Sequence, residues 1–231
     1  MRLLLNVNEN VNENANENIN EAIMKISKWA FPSIALCAIV AVGCATVSEK
    51  VVTPEDLKTI KASFNEKGQA TLDRLDQDEA QRLCSNVPPA TLSKTNAAQI
   101  EKTNLASIKY PADGTLMGNW QQGERIAQTG VGKQYSDDPK APSGGNCYAC
   151  HQLSKAEISF GTIGPSLYNY GKMRGGASAE LQRYTYGRIY NPQAYSACSN
   201  MPRFGHNGIL TEQQLKDVTA LLLDANSPVN Q

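Results

Sequence analysis

The run Cys147-Tyr148-Ala149-Cys150-His151 constrains this chain more than any other feature of it. Two thiols three positions apart on one tight turn can each add to a neighbouring vinyl group of a porphyrin, and the imidazole that follows then projects at the iron. The same spacing also serves zinc knuckles and dithiol redox pairs. A knuckle needs a second pair of ligands, yet no further C-x-x-C and no H-x-H occurs. A dithiol pair needs a βαβ setting, and the chain shows no strand alternation of useful length. Covalent attachment of one haem c through Cys147 and Cys150, with His151 on the iron, is the reading that survives.

The N-terminal region reads as a leader. Residues 6–19 repeat an Asn-Glu tetrad that is too polar to bury a core and too short to stack. Met24-Lys25-Ile26-Ser27-Lys28-Trp29 then leads into an apolar run from Ala30 to Val42, broken at Pro32 and Ser33, which exits through Gly43, Cys44 and Ala45. A charged start, an apolar middle and a small-residue exit make an export signal. At about 13 residues the run falls short of the ~20 that a membrane span needs, so cleavage is expected. The expectation is therefore a leader over 1–45 with its start at Met24, and a periplasmic product. Acylation of Cys44 to give a lipid-anchored form is the alternative. Lysines and arginines number 22 and aspartates and glutamates 22, so there is no net positive charge to draw nucleic acid, which is excluded as a partner.

Beyond the leader, the periodicity predicts an all-α chain in two parts, a helical extension over 46–112 and a second unit over 113–231. Thr53 and Pro54 open a helix carrying Leu57, Ile60 and Phe64. Leu72, Leu75 and Leu83 continue the helical period as far as Cys84, and Pro88-Pro89 breaks it. A weaker stretch runs from Leu92 to Leu105. Tyr110-Pro111-Ala112-Asp113-Gly114 is a turn, and a helix follows from about Trp120 to Thr129. The final helix is the clearest: Thr211 caps it, Gln214 completes a capping box, and Leu215, Val218, Leu221 and Leu222 form its stripe. The helices at 120–129 and 211–224 are expected to cross, with Gly123 permitting close approach.

Gly161-Thr162-Ile163-Gly164-Pro165, about ten residues after the haem turn, resembles the loop that passes the histidine side of class I cytochromes c. The resemblance implies that fold, and a Pro165 carbonyl that accepts the second imidazole N–H. Asn200-Met201-Pro202-Arg203-Phe204 is similar to the methionine-ligand loop of the same class, which makes Met201 the sixth iron ligand. His206, the only other imidazole besides His151, competes for that position. Met117 and Met173 read as packing or loop residues.

Of six cysteines, Cys37 and Cys44 fall in the leader and Cys147 and Cys150 on haem. An oxidising compartment then favours a Cys84–Cys198 disulfide, against two free thiols or a reactive sulfur carrier.

Longer stretches resemble the SoxX family: 110–114, Gly123-Glu124-Arg125-Ile126-Ala127, 145–153, 161–168 and above all 190–206. The resemblance implies a monohaem electron-transfer subunit paired in a heterodimer with a SoxA-like haem protein. That pair acts as an L-cysteine S-thiosulfotransferase, which oxidatively couples thiosulfate to a cysteine of a carrier protein. This chain would pass the electrons to a downstream acceptor, receiving them at the haem edge near Cys147 and Tyr148. A free-standing electron shuttle is the alternative, and the extension before Tyr110 favours the subunit.

Overall fold

The computed structural model describes residues 53–85 and 92–231, which belong to one compact unit, Val52–Gln231. The leader, Cys44 and Pro88-Pro89 lie outside the described residues. Within the unit the extension and the segment after residue 112 pack together. The secondary structure is helical, and among the described residues the sole β feature is an isolated bridge between Lys67 and Ala70. No described helix is long and apolar enough to cross a membrane.

Helix α1, Pro54–Ala62, begins where its cap residues dictate. The Asp56 N–H donates to Thr53 Oγ1 at 3.2 Å, while the Thr53 N–H donates to the Asp56 carboxylate at 2.9 Å. This helix buries none of its residues. The apolar series from Leu72 to Leu83, expected as one helix, is two elements: a 3₁₀ turn at Leu72–Leu75 and helix α2 at Glu79–Ser85. The break follows from the aspartates. Asp78 Oδ1 accepts from the Gln81 N–H at 2.8 Å and Gln81 Oε1 accepts from the Asp78 N–H at 2.9 Å, a reciprocal cap that starts a new helix.

Helix α3, Lys94–Ala106, is capped by Ser93 and buries Ile100 and Asn104. Asn104 ties the extension to the rest of the fold, because its Oδ1 accepts from Asn191 Nδ2 at 2.8 Å in a buried position. Helix α4, Trp120–Gln128, and helix α6, Glu212–Leu223, cross as expected. A Cβ on Gly123 would run into the Asp217 carbonyl and Leu221, so only glycine permits this approach. The Gly118 N–H donates to Lys216 O at 3.0 Å beside the crossing.

Two features depart from the periodicity. Helix α6 is buried on all sides from Leu215 to Leu223 rather than along one stripe, which places it at the centre of the core. Helix α5, Ala179–Tyr190, was not foreseen. It packs on α6 and contributes Tyr186, Ile189 and Tyr190 to the core.

Candidate functional site

The haem-binding turn is set by the end of α4. The Gly145 N–H donates to Ile126 O at 2.8 Å and the Asn146 N–H to Thr129 O at 2.9 Å, drawing the next loop against the helix terminus. Asn146 then adopts a left-handed conformation (φ 46°), which asparagine tolerates better than most residues, and turns the chain into the 3₁₀ segment Cys147–Ala149. The His151 N–H donates to Cys147 O at 2.9 Å and closes the turn. Both thiols therefore leave one turn, and neither is in a disulfide. Burial pushes the Cys147 thiol up to about 12, so as a bare thiol it stays protonated.

The loop after the turn folds back onto it. The Gly161 N–H donates to Tyr148 O, the Gly164 N–H to Cys150 O, and the Leu167 N–H to Gln152 O, each at 2.8 Å. Both glycines are obligatory for the fit: a Cβ on Gly161 would meet the Ala149 carbonyl, and one on Gly164 would land on the His151 ring. These roles were not read from the sequence, although a Gly-x-x-Gly-Pro run ten residues past the turn was their signal.

Pro165 O lies 2.7 Å from His151 Nδ1. A carbonyl can only accept, so Nδ1 carries the proton and Nε2 keeps its lone pair. Paired thiols, an imidazole offering Nε2 and a side-chain-free position under the ring fit a covalent haem.

Met201 sits in the long connection between α5 and α6. It is partly buried and packs on the core cluster. His206 is oriented otherwise: its Nδ1 lies 3.3 Å from Ser107 Oγ, and partial burial and then the nearby Arg203 charge lower its pKa. Met117 packs on the core and Met173 is exposed.

Cys84 and Cys198 are joined in a disulfide with Cα atoms 5.4 Å apart, linking the extension to the loop that carries Met201. A second link went unforeseen, an ion pair between the buried Arg203 and Asp78 at 2.6 Å. Tyr148 is 7% exposed and belongs to the core, whereas Asn146 and Ala149 on the same turn are exposed.

The family model for cytochrome c matches residues 132–226, the stretch that holds Cys147, Cys150, His151, Pro165 and Met201. An uncharacterized lipoprotein of Aquifex aeolicus (strain VF5) is 41% identical over 157 residues, which is 67% of this chain and 73% of that protein. With its helical architecture the chain has the class I cytochrome c fold, and its cofactor is covalently bound haem c with iron. By that match and that relationship the chain belongs to the cytochrome c family.

Proposed function

We propose that this cytochrome is the electron-accepting subunit of a SoxAX-type L-cysteine S-thiosulfotransferase, with Cys147 and Cys150 bonded to haem and His151 and Met201 on the iron. Bound haem supplies a one-electron iron couple. The residues around it orient and seal. Pro165 fixes the His151 tautomer, Gly164 leaves room for the ring, and the Met201 thioether would hold the iron with His151, leaving no position for a sulfur anion.

The coupled reaction joins thiosulfate to a carrier-protein thiol. An S–S bond forms, the S–H bond breaks, and one proton and two electrons leave. The sulfur chemistry belongs to the SoxA-like partner. Because the bound group would supply a one-electron couple, a downstream acceptor would have to receive the two electrons from this chain in turn. Electrons would enter at the haem edge near Cys147 and Tyr148, and the exposed Ile158 and Ile163, on the segments that follow the haem turn, would supply apolar contact for the partner beside it.

The observation that carries the subunit reading is α1. Its Leu57 and Ile60, with Phe64 just beyond it, are 45, 48 and 50% exposed, and the helix buries nothing. An extension with an uncovered apolar face suits a permanent partner better than a diffusing shuttle.

The A. aeolicus protein's description as a lipoprotein supports an extracytoplasmic chain anchored through acylated Cys44. Intact mass of the mature protein separates this form from the cleaved soluble one.

The functional test mixes ferric protein with thiosulfate alone, then with a SoxA-type partner and the cysteine carrier, and follows the haem spectrum. Reduction only with all components is expected. Rapid reduction by thiosulfate alone overturns the subunit reading, and no reduction with every component present leaves the free-standing shuttle.

A further inference from the structure

The loop that carries Met201 is held unevenly. On its core side Phe204 is buried, and its carbonyl accepts from the amides of Ile209 and Leu210. On its other side lies a cavity of about 420 Å³, bordered by Gln77, Gln81 and Cys84 of the extension and by Cys198, Met201 and Arg203 of the loop. Among the described residues the amides of Asn200, Arg203 and Phe204 donate to no backbone carbonyl, and the Met201 N–H reaches Ser199 Oγ at 3.3 Å. A segment with so few backbone hydrogen bonds, backed by a cavity instead of packed side chains, costs little to open.

Two tethers oppose that opening, and both hang from α2. The Cys84–Cys198 bridge anchors the loop three residues before Met201. Arg203, two residues after Met201, pairs with Asp78 at 2.6 Å, and its side chain is 9% exposed. Asp78 caps the N-terminus of α2 through Gln81, and Cys84 lies in the last turn of the same helix. The helix thus grips the loop on both sides of the methionine.

We infer that α2 is a strap for the sixth iron ligand. Asp78 and the Cys84–Cys198 bridge are positioning residues that set how often Met201 leaves the iron. The inference rests on Met201 being that ligand. It assigns the extension a task at the haem in addition to any partner it docks.

Imidazole added to the ferric holoprotein reads the opening directly, because it takes the iron position only when the methionine has left. The weak far-red sulfur-to-iron absorption band reports the loss. Asp78→Asn should bind imidazole faster by up to about fivefold, the factor to which about 1 kcal/mol of loop opening corresponds, and the double variant Cys84→Ser/Cys198→Ser on the order of tenfold. Their helical circular dichroism should be unchanged, and Asp78→Glu should return towards wild type. Unchanged imidazole kinetics in folded Asp78→Asn and double-cysteine proteins overturns the strap. Absence of the far-red band in the wild type overturns the Met201 assignment instead, so the two failures are distinguishable. Should the double variant not fold, Asp78→Asn alone decides the matter, since the residue is partly exposed and its loss leaves the disulfide in place.

Discussion

Gly164 gives the histidine its room. Its ideal Cβ would fall on the His151 ring, and its N–H holds Cys150 O, so a side chain there must displace either the ring or the loop. Gly164→Ala should therefore cost about 1–3 kcal/mol, as overpacking of a filled site does. It should also lower the yield of covalent haem per chain, measured by haem-stained gels and by urea unfolding of what is loaded. Wild-type yield and midpoint would show that the ring has slack that the structure denies it. Residue-level chemistry was legible wherever spacing alone dictates it. Cys147, Cys150 and His151 announce themselves, and the acceptor role of Pro165 followed from likeness to a known loop. The need for Gly161 and Gly164 was hidden, because it depends on two loops meeting. The burial of Tyr148 was hidden for a related reason, since a three-residue turn does not reveal which of its side chains faces inward.

Elements were legible in proportion to the strength of their caps. Thr211 with Gln214 and Thr53 with Pro54 mark helix starts that the structure keeps. Helix α5 was missed because its sequence, with Thr185, Gly187 and several tyrosines, has modest intrinsic propensity and is stabilised by packing on α6. The break before α2 was missed because the apolar period runs on across it while Asp78 caps a new helix. That cap carries a prediction. Burial pushes the Asp78 carboxyl up, but the Gln81 N–H and the Arg203 guanidinium outweigh it and hold it below the ordinary carboxylate range. A carboxyl depressed in the folded state stabilises above its unfolded pKa, and that contribution is lost as pH falls through the folded value. The clamp between α2 and Arg203 should thus be intact at neutral pH and weaken below about pH 4. With Asp78 41% exposed, the effect should not exceed about 1 kcal/mol. Urea midpoints between about pH 5 and about pH 3 should fall less steeply in Asp78→Asn than in the wild type. Identical slopes would remove Asp78 from the acid response.

At the scale of the whole molecule, the extension and the haem-binding region form one packed unit, joined by a disulfide, a buried asparagine pair and an ion pair. The disulfide was legible by elimination, because haem and leader account for every other cysteine. The asparagine and aspartate contacts were not, since polar pairs across distant segments leave no periodic trace. Together these links place the Met201 loop between the core and the extension while the Pro165 carbonyl orients His151 from the other loop. In this arrangement the iron would be held by both His151 and Met201, would exchange electrons and would take no sulfur anion. The ferric absorption spectrum tests it most directly. A weak far-red sulfur-to-iron band is expected in the wild type; it should vanish in Met201→Ala, with a lowered reduction potential, and persist in His206→Ala. A wild type without the band, or a band that survives Met201→Ala and disappears in His206→Ala, would contradict it.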